Sequence, residues 1–134
     1  MKLAHLSLLA IAALSVTATA DEAKAPTEVV RNILDRHDQS GVPGKEIVIG
    51  TATFPAGAGI GFHTHPGDEV GYVLSGSVIL KTQGQPDRVL KAGDSFFNVR
   101  GAVHSVVALP NGTGGQVVSS WIIDKGQPLA TPVK

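Results

Sequence analysis

The stretch GAGIGFHTHPGDEVGYVLSG, from Gly57 to Gly76, decides how the rest of this 134-residue chain is read. In extended backbone successive side chains alternate faces, so His63 and His65 project together into one space. Pro66-Gly67-Asp68 reads as a short turn, after which Glu69 can start a neighbouring strand and bring a carboxylate beside the imidazoles. Neutral imidazoles with a carboxylate form a nitrogen and oxygen donor set suited to a first-row divalent metal. His104 opens a later apolar segment and can close the set from an adjacent strand. A lone strand histidine is ordinarily a surface or hydrogen-bonded residue. A same-face pair followed by an acid leaves the structural and the ligand readings both open.

Outward from this stretch, glycine and proline recur at short intervals with β-branched segments between them. Val29–Leu34, Glu46–Phe54, Glu69–Leu74, Val78–Thr82, Arg88–Leu90, Ser95–Val99, Val103–Ala108 and Val117–Ile123 fit short strands. Turn signals separate them, among them Gly41 to Gly44, Pro55 to Gly59, Ser75-Gly76 and Asn111 to Gly115. Past residue 36 no window carries the spacing of a long amphipathic helix. Glu28–Arg36 stays open, because Val29, Val30, Ile33 and Leu34 suit either a strand or one helical face. Many short strands with glycine-rich turns imply an all-β sandwich or small barrel.

Composition narrows the function. Charged residues are 16% of the chain and apolar ones 43%, which favours one packed core over disorder. Eleven basic residues balance eleven acidic ones, leaving no basic field to hold nucleic acid. Cysteine is absent, which removes disulfides, thiolate ligands and a cysteine nucleophile together. The Gly57–Gly61 run lacks the lysine and following helix that a phosphate loop needs.

MKLAHLSLLAIAALSVTATA, residues 1–20, has Lys2, an apolar stretch too short to span a bilayer, and Ala18-Thr19-Ala20 as a cleavage pattern. It reads as a secretory signal peptide cleaved after Ala20, giving a periplasmic or secreted protein with no membrane segment after cleavage. No twin arginine precedes the apolar stretch, so folding and metal uptake are expected outside the inner membrane. Residues 21–27 read as a flexible leader, 28–125 as the folded domain, and Gly126–Lys134, with two prolines, as a loose tail.

The central stretch resembles the first motif of the cupin family, G-x5-H-x-H-x3–4-E-x6-G, through Gly57, His63, His65, Glu69 and Gly76. The second motif, G-x5-P-x-G-x2-H-x3-N, is matched at Gly93, Gly101 and His104; Val99 replaces its proline and Ala108 its asparagine. The resemblance spans about Glu28 to Ile123. It implies a jelly-roll barrel, also called a double-stranded β-helix, with one divalent transition metal (Fe, Mn, Ni, Cu or Zn) per chain held by His63, His65, Glu69 and His104. Val99 should leave the loop before His104 less stiff, because proline would fix φ there. Ala108 removes a polar side chain that would support the site.

Function is less sharply specified, because the same fold serves dioxygenases, isomerases, lyases and non-catalytic binding modules. The expected role is an exported small-molecule metalloenzyme, dioxygenase-like or a metal-assisted isomerase or lyase, with a metal- or ligand-binding module as the alternative. Glu69 could be both ligand and base. Tyr72, the one tyrosine, is a candidate for proton transfer, although alternation from Glu69 turns it outward. Phe54, Phe62, Phe96, Phe97 and Trp121 are expected in the core or an interface, with one of them able to wall the pocket. His37 is expected at the surface. A homodimer formed through Val29–Leu34 is expected, since an uncovered sheet edge is a liability.

Overall fold

The computed structural model describes residues 27–134, and no helix occurs among them. The expected signal peptide and most of the 21–27 leader lie outside the described residues. Nine strands follow in order: β1 (Val30–Asp38), β2 (Lys45–Phe54), β3 (Gly59–Thr64), β4 (Gly67–Thr82), β5 (Arg88–Lys91), β6 (Ser95–Asn98), β7 (His104–Ala108), β8 (Gly115–Asp124) and β9 (Thr131–Pro132). All pairings are antiparallel. The spatial order is β1-β2-β8-β4-β7-β3-β9, with β5 and β6 also bonded to β4. This curled antiparallel sheet is all-β, as the strand pattern implied, and has the jelly-roll architecture that the resemblance implied.

Strand β4 organises the barrel. Its first part, Gly67 to Gly76, pairs with β8, and its second part, Val78 to Thr82, pairs with β7. The Ser75-Gly76 step, expected to be a hairpin turn, is instead a bulge between Val73 and Ser75 inside one 16-residue strand. A bulge bends a strand without reversing it, so β4 passes from one wall of the barrel to the other. Gly76 is required there: its φ is +66°, and a Cβ would lie 2.0 Å from the Gly114 carbonyl oxygen.

Alternation fills the interior. Phe54, Val73, Val78, Leu80, Leu90, Phe96, Val106, Ala108 and Val117 form one buried cluster. Inward residues line up in rows across neighbouring strands: Val48, Trp121, Glu69 and Asn98 form one row, and Gly50, Ser119, Gly71 and Phe96 the next. Gly71 has no room for a side chain, since a Cβ would come within 2.0 Å of the Phe96 ring. The outer face of the same strands leaves Ile47, Ile49, Val70, Tyr72, Leu74, Phe97 and Ile122 exposed.

The open segment at the N-terminal end resolves as a strand. β1 pairs with β2 and forms the edge of the sheet. A register shift between Ile33 and Asp35 divides it. Before the shift, Arg31 and Ile33 stand opposite Ala52 and Gly50 on the inner face. After it, Arg36 stands opposite the buried Val48 and pairs with buried Glu46 at 2.6 Å. The C-terminal stretch is not the loose tail that its prolines suggested, because Thr131–Pro132 pairs with β3 and the Val133 amide donates to the Phe62 carbonyl.

Candidate metal centre

His63 and His104 are direct cross-strand partners on β3 and β7, so pairing alone holds their rings side by side, with centroids 4.3 Å apart. His65 sits one residue past the end of β3, on the same face as His63, with ring centroids 4.9 Å apart. Glu69 does not come from the next strand over. It lies on the wall formed by β4, β8 and β6, and reaches the histidines across the barrel interior. His65 Nε2 is 3.4 Å and His104 Nε2 3.2 Å from Glu69 Oε2. All four residues are buried. Ligand atoms of His63, His65 and His104 lie within 4.8 Å of one another, so the three could hold one metal ion.

Backbone carbonyls fix the imidazole tautomers. His63 Nδ1 meets the Gly61 carbonyl at 2.8 Å, His65 Nδ1 the Leu129 carbonyl at 2.6 Å, and His104 Nδ1 the Ala102 carbonyl at 2.9 Å. A carbonyl only accepts, so each Nδ1 carries the hydrogen, and in the neutral ring the lone pair stands on Nε2, facing inward. The three histidines therefore group in a buried space, with the Glu69 carboxylate against His65 and His104 but outside the set whose ligand atoms all lie within 4.8 Å of one another. That donor set fits a divalent cation, and outer hydrogen bonds of this kind orient metal-binding histidines.

The charges follow from the same contacts. Burial pushes the His63 pKa below its ordinary value, with the neighbouring His104 and His65 adding to the effect. Burial also lowers His104, but its contacts with Glu69 and the Ala102 carbonyl outweigh that and raise it. Burial would raise Glu69; contacts from His104, His65 and Asn98 overcome it and leave the carboxyl well below the usual range.

Three supporting residues escaped the sequence reading. Asn98 Nδ2 donates to Glu69 Oε2 at 2.8 Å from a position 3% exposed. The signal for it was present, since in Ser95–Val99 alternation places Asn98 on the inward face with Phe96. The Leu129 carbonyl could not have been found, because a backbone acceptor leaves no mark on residue type. Arg100 ties down the loop before His104: its amide donates to Asp68 Oδ1 at 2.9 Å, its guanidinium donates to the Pro66 carbonyl at 2.8 Å, and it pairs with Asp124. The Gly101 amide adds a bond to the His65 carbonyl at 3.1 Å.

These contacts bear on the two motif departures. The loop at Val99 is held by Arg100 in place of a proline ring. Ala108 is fully buried among apolar residues, and the polar support for the site comes from Asn98. Asp68, expected as a solvated turn residue, is exposed but belongs to β4. Tyr72 lies on the outer face, as alternation implied, 46% exposed, and does not line the cavity. His37 is exposed beside Asp35, as expected.

The cluster opens into a cavity of about 90 Å³. Its wall includes Phe54, Ile60, Phe96, Val106 and Val117, with Trp121 beside His65. Three of the five aromatic residues expected in a core or interface therefore wall the pocket, and Phe62 and Phe97 stand exposed. The Trp121 indole N–H donates to His65 Nε2 at 3.3 Å.

Comparison with known proteins agrees with this geometry. Residues 50–114 match the family model described as a cupin domain. Over 51 residues the chain is 37% identical to dimethylsulfoniopropionate lyase DddQ of Ruegeria pomeroyi, a match covering 38% of this chain and 25% of that enzyme. The chain thus spans about a quarter of the length of that curated relative. Among solved structures, the lyase DddQ from Ruegeria pomeroyi superposes with a TM-score of 0.62 at 22% identity, over 77% of this chain and 50% of the other. A cupin-like protein from Thermotoga maritima superposes with a TM-score of 0.60 at 27% identity, over 78% of this chain and 75% of the other.

Proposed function

Since the chain belongs to the cupin superfamily and carries three buried histidines able to hold one metal ion, we propose that it is an exported metalloenzyme acting on a small molecule, with Glu69 as fourth ligand. The observation that carries this is the grouping of three tautomer-fixed histidines in a buried space, two of which, His65 and His104, meet the Glu69 carboxylate. The Trp121 indole N–H meets one of their lone pairs, at His65 Nε2, and a cation, proton or metal, would relieve the repulsion among the rest.

A divalent metal bound there supplies Lewis acidity toward an oxygen of the ligand. The chain's own residues do the rest. Leu129, Gly61 and Ala102 aim the imidazoles, Asn98 holds Glu69, and the apolar wall keeps water from competing for the ligand. Glu69 is poorly placed as a free base while Asn98 and two histidines hold it. A proton-abstracting role would require it to leave those partners.

Within this reading a lyase- or isomerase-type reaction is preferred over oxygen chemistry, supported by the relative whose name is a lyase. Export by residues 1–20 and a homodimer form part of the same proposal, the dimer supported by the exposed Val30, Ile33 and Leu34 of edge strand β1, the segment expected to form it, and by the apolar outer face of the sheet as a second surface.

The test is metal analysis of untagged protein recovered from its own compartment, for wild type, His65→Ala and His104→Ala, with the N-terminus sequenced on the same material. About one metal per wild-type chain, loss in both variants and an N-terminus at Asp21 are expected. Equal metal content in all three would overturn the metal site, and turnover by none of a panel of small acids, diketones and sugars would leave a binding module.

A further inference from the structure

Arg31 lines both an outer groove and the cavity over the histidines. The cavity over the histidines and an outer groove of about 730 Å³ share four lining residues, Arg31, Ile60, His63 and Ala130, so the groove leads into the cavity past Arg31. The β1 register explains why an edge-strand arginine comes to lie there. Cross-strand partners share a face, and Arg31 is opposite the inward Ala52. Its neighbour on that face, Ile33, comes within 3.4 Å of where a Gly50 Cβ would be, and Trp121 within 3.3 Å of the same point. The shift after Ile33 then turns the strand over, sending Arg36 to Glu46 and leaving Arg31 alone above the cavity.

Arg31 makes no ion pair among the described residues, whereas Arg36 and Arg100 each have a carboxylate partner. Glu69 is the one carboxylate lining the cavity, and it is occupied by His65, His104 and Asn98. Glu28 lines the outer groove but not the cavity. With a divalent cation held by the histidines, positive charge therefore exceeds negative along the passage. A cavity with two separated positive ends suits an anion with an acceptor oxygen at each end.

We propose that Arg31 is the carboxylate anchor of this cavity, and that its ligand is a short organic acid bridging Arg31 and the histidine cluster. This rests on the metal reading above. The guanidinium offers paired N–H donors that match a carboxylate in geometry as well as charge, which a lysine ammonium does not. At an open mouth the interaction is partly screened by salt, so its strength should fall as ionic strength rises.

The experiment uses Zn(II)-loaded full-length mature protein with succinate as probe and succinamide, its neutral diamide, as control, read by calorimetric titration and by the single tryptophan's emission. Wild type should bind succinate saturably and succinamide at least tenfold more weakly. Arg31→Gln should lower succinate affinity by about tenfold to a hundredfold and flatten its salt dependence, and Arg31→Lys should recover part of the loss. Zn(II) affinity, measured separately, should be the same in all three proteins. If Zn(II) binds normally but Arg31→Gln holds succinate as wild type does, or wild type binds neither probe, the anchor is wrong and the metal site stands. If Zn(II) does not bind wild type, the metal reading itself fails.

Discussion

Replacing Asn98 by alanine removes one donor from one buried carboxylate, and its consequences can be worked from the contacts. The lost bond, 2.8 Å from Asn98 Nδ2 to Glu69 Oε2, joins residues 3% and 6% exposed. A hydrogen bond to a charged group contributes about 1.5–3 kcal/mol, which for a domain of roughly this size lowers Tm on the order of 10 °C. Glu69, no longer held, should bind metal less well, by about tenfold to a hundredfold, the usual cost of removing such an outer partner. The single tryptophan supplies the assay, because Trp121 lies with its ring centroid 5.7 Å from that of His65 and a paramagnetic ion such as Ni(II) should quench it. Leu80→Ala is the control: Leu80 is 2% exposed in the apolar cluster and does not line the cavity. It should cost about 2–5 kcal/mol of stability and leave Ni(II) affinity unchanged. Asn98→Asp, nearly the same in shape, should bind Ni(II) more weakly than wild type, because an oxygen replaces the donor nitrogen beside Glu69. If Asn98→Ala keeps wild-type affinity, or loses no more than Leu80→Ala does, the positioning argument is refuted.

Other perturbations separate the remaining claims. In metal-free protein, proton NMR should show His104 titrating above the ordinary value of 6.5 and His63 below it; Glu69→Gln should bring His104 down, and an unmoved His104 would remove Glu69 as the cause. A raised folded-state pKa stabilises fully below the unfolded value, so the part of wild type's advantage over Glu69→Gln that comes from His104 should be full below about pH 6.5. It should fade as pH rises through the raised value, and urea titrations across pH 5–9 would show a rising trend if the sign were wrong. Arg100→Ala should change global stability little, since its ion pair is exposed, yet speed amide exchange at Gly101 and Ala102; unchanged exchange would mean the loop needs no such tie. Val70→Lys with Phe97→Lys, adjacent by register on the apolar outer face, should turn a micromolar dimer into a folded monomer by light scattering, and a monomeric wild type would end the dimer proposal. Gly71→Ala should cost about 1–3 kcal/mol by overpacking against Phe96, with Phe96→Leu restoring part of it in thermal melts.

Period-two alternation carried much of the fold, because most strands here bury one face and expose the other. It turned Tyr72 outward from Glu69, and this holds, with Gly71 and Val73 buried on either side of it. It failed where the period breaks. The bulge at Val73 and Ser75 looks like a turn in sequence, since Ser-Gly serves either purpose, and only pairing with β8 and β7 together distinguishes a bent strand from a hairpin. The edge strand β1 was ambiguous for a related reason: its register shift places apolar residues at mixed spacings that also suit a helix. The C-terminal prolines marked the absence of a long strand, not the absence of order, and the carbonyl at Leu129 does its work without any side chain.

The departures at Val99 and Ala108 show how a site can survive the loss of its motif's supporting residues. A proline stiffens a loop from within, by fixing φ; Arg100 stiffens the same loop from outside, by bonding it to the start of β4 and the end of β8. The means differ in what they depend on. The proline ring needs no partner, whereas the Arg100 clamp needs Asp124, whose carboxyl Arg100 and Lys45 hold well below the usual range. Folded-state depression of an acid stabilises above its unfolded value and is lost as pH falls through the lower folded value. The clamp should therefore hold at neutral pH and loosen only in strong acid. Asn98 stands in a similar relation to Ala108. The position on β7 has become apolar core, and the polar duty is carried by a residue on β6, directly opposite Glu69 in register. Both substitutes act at the start of β4 and the residue before it, on Pro66, Asp68 and Glu69, so the short run from Pro66 to Glu69 is where these contacts converge.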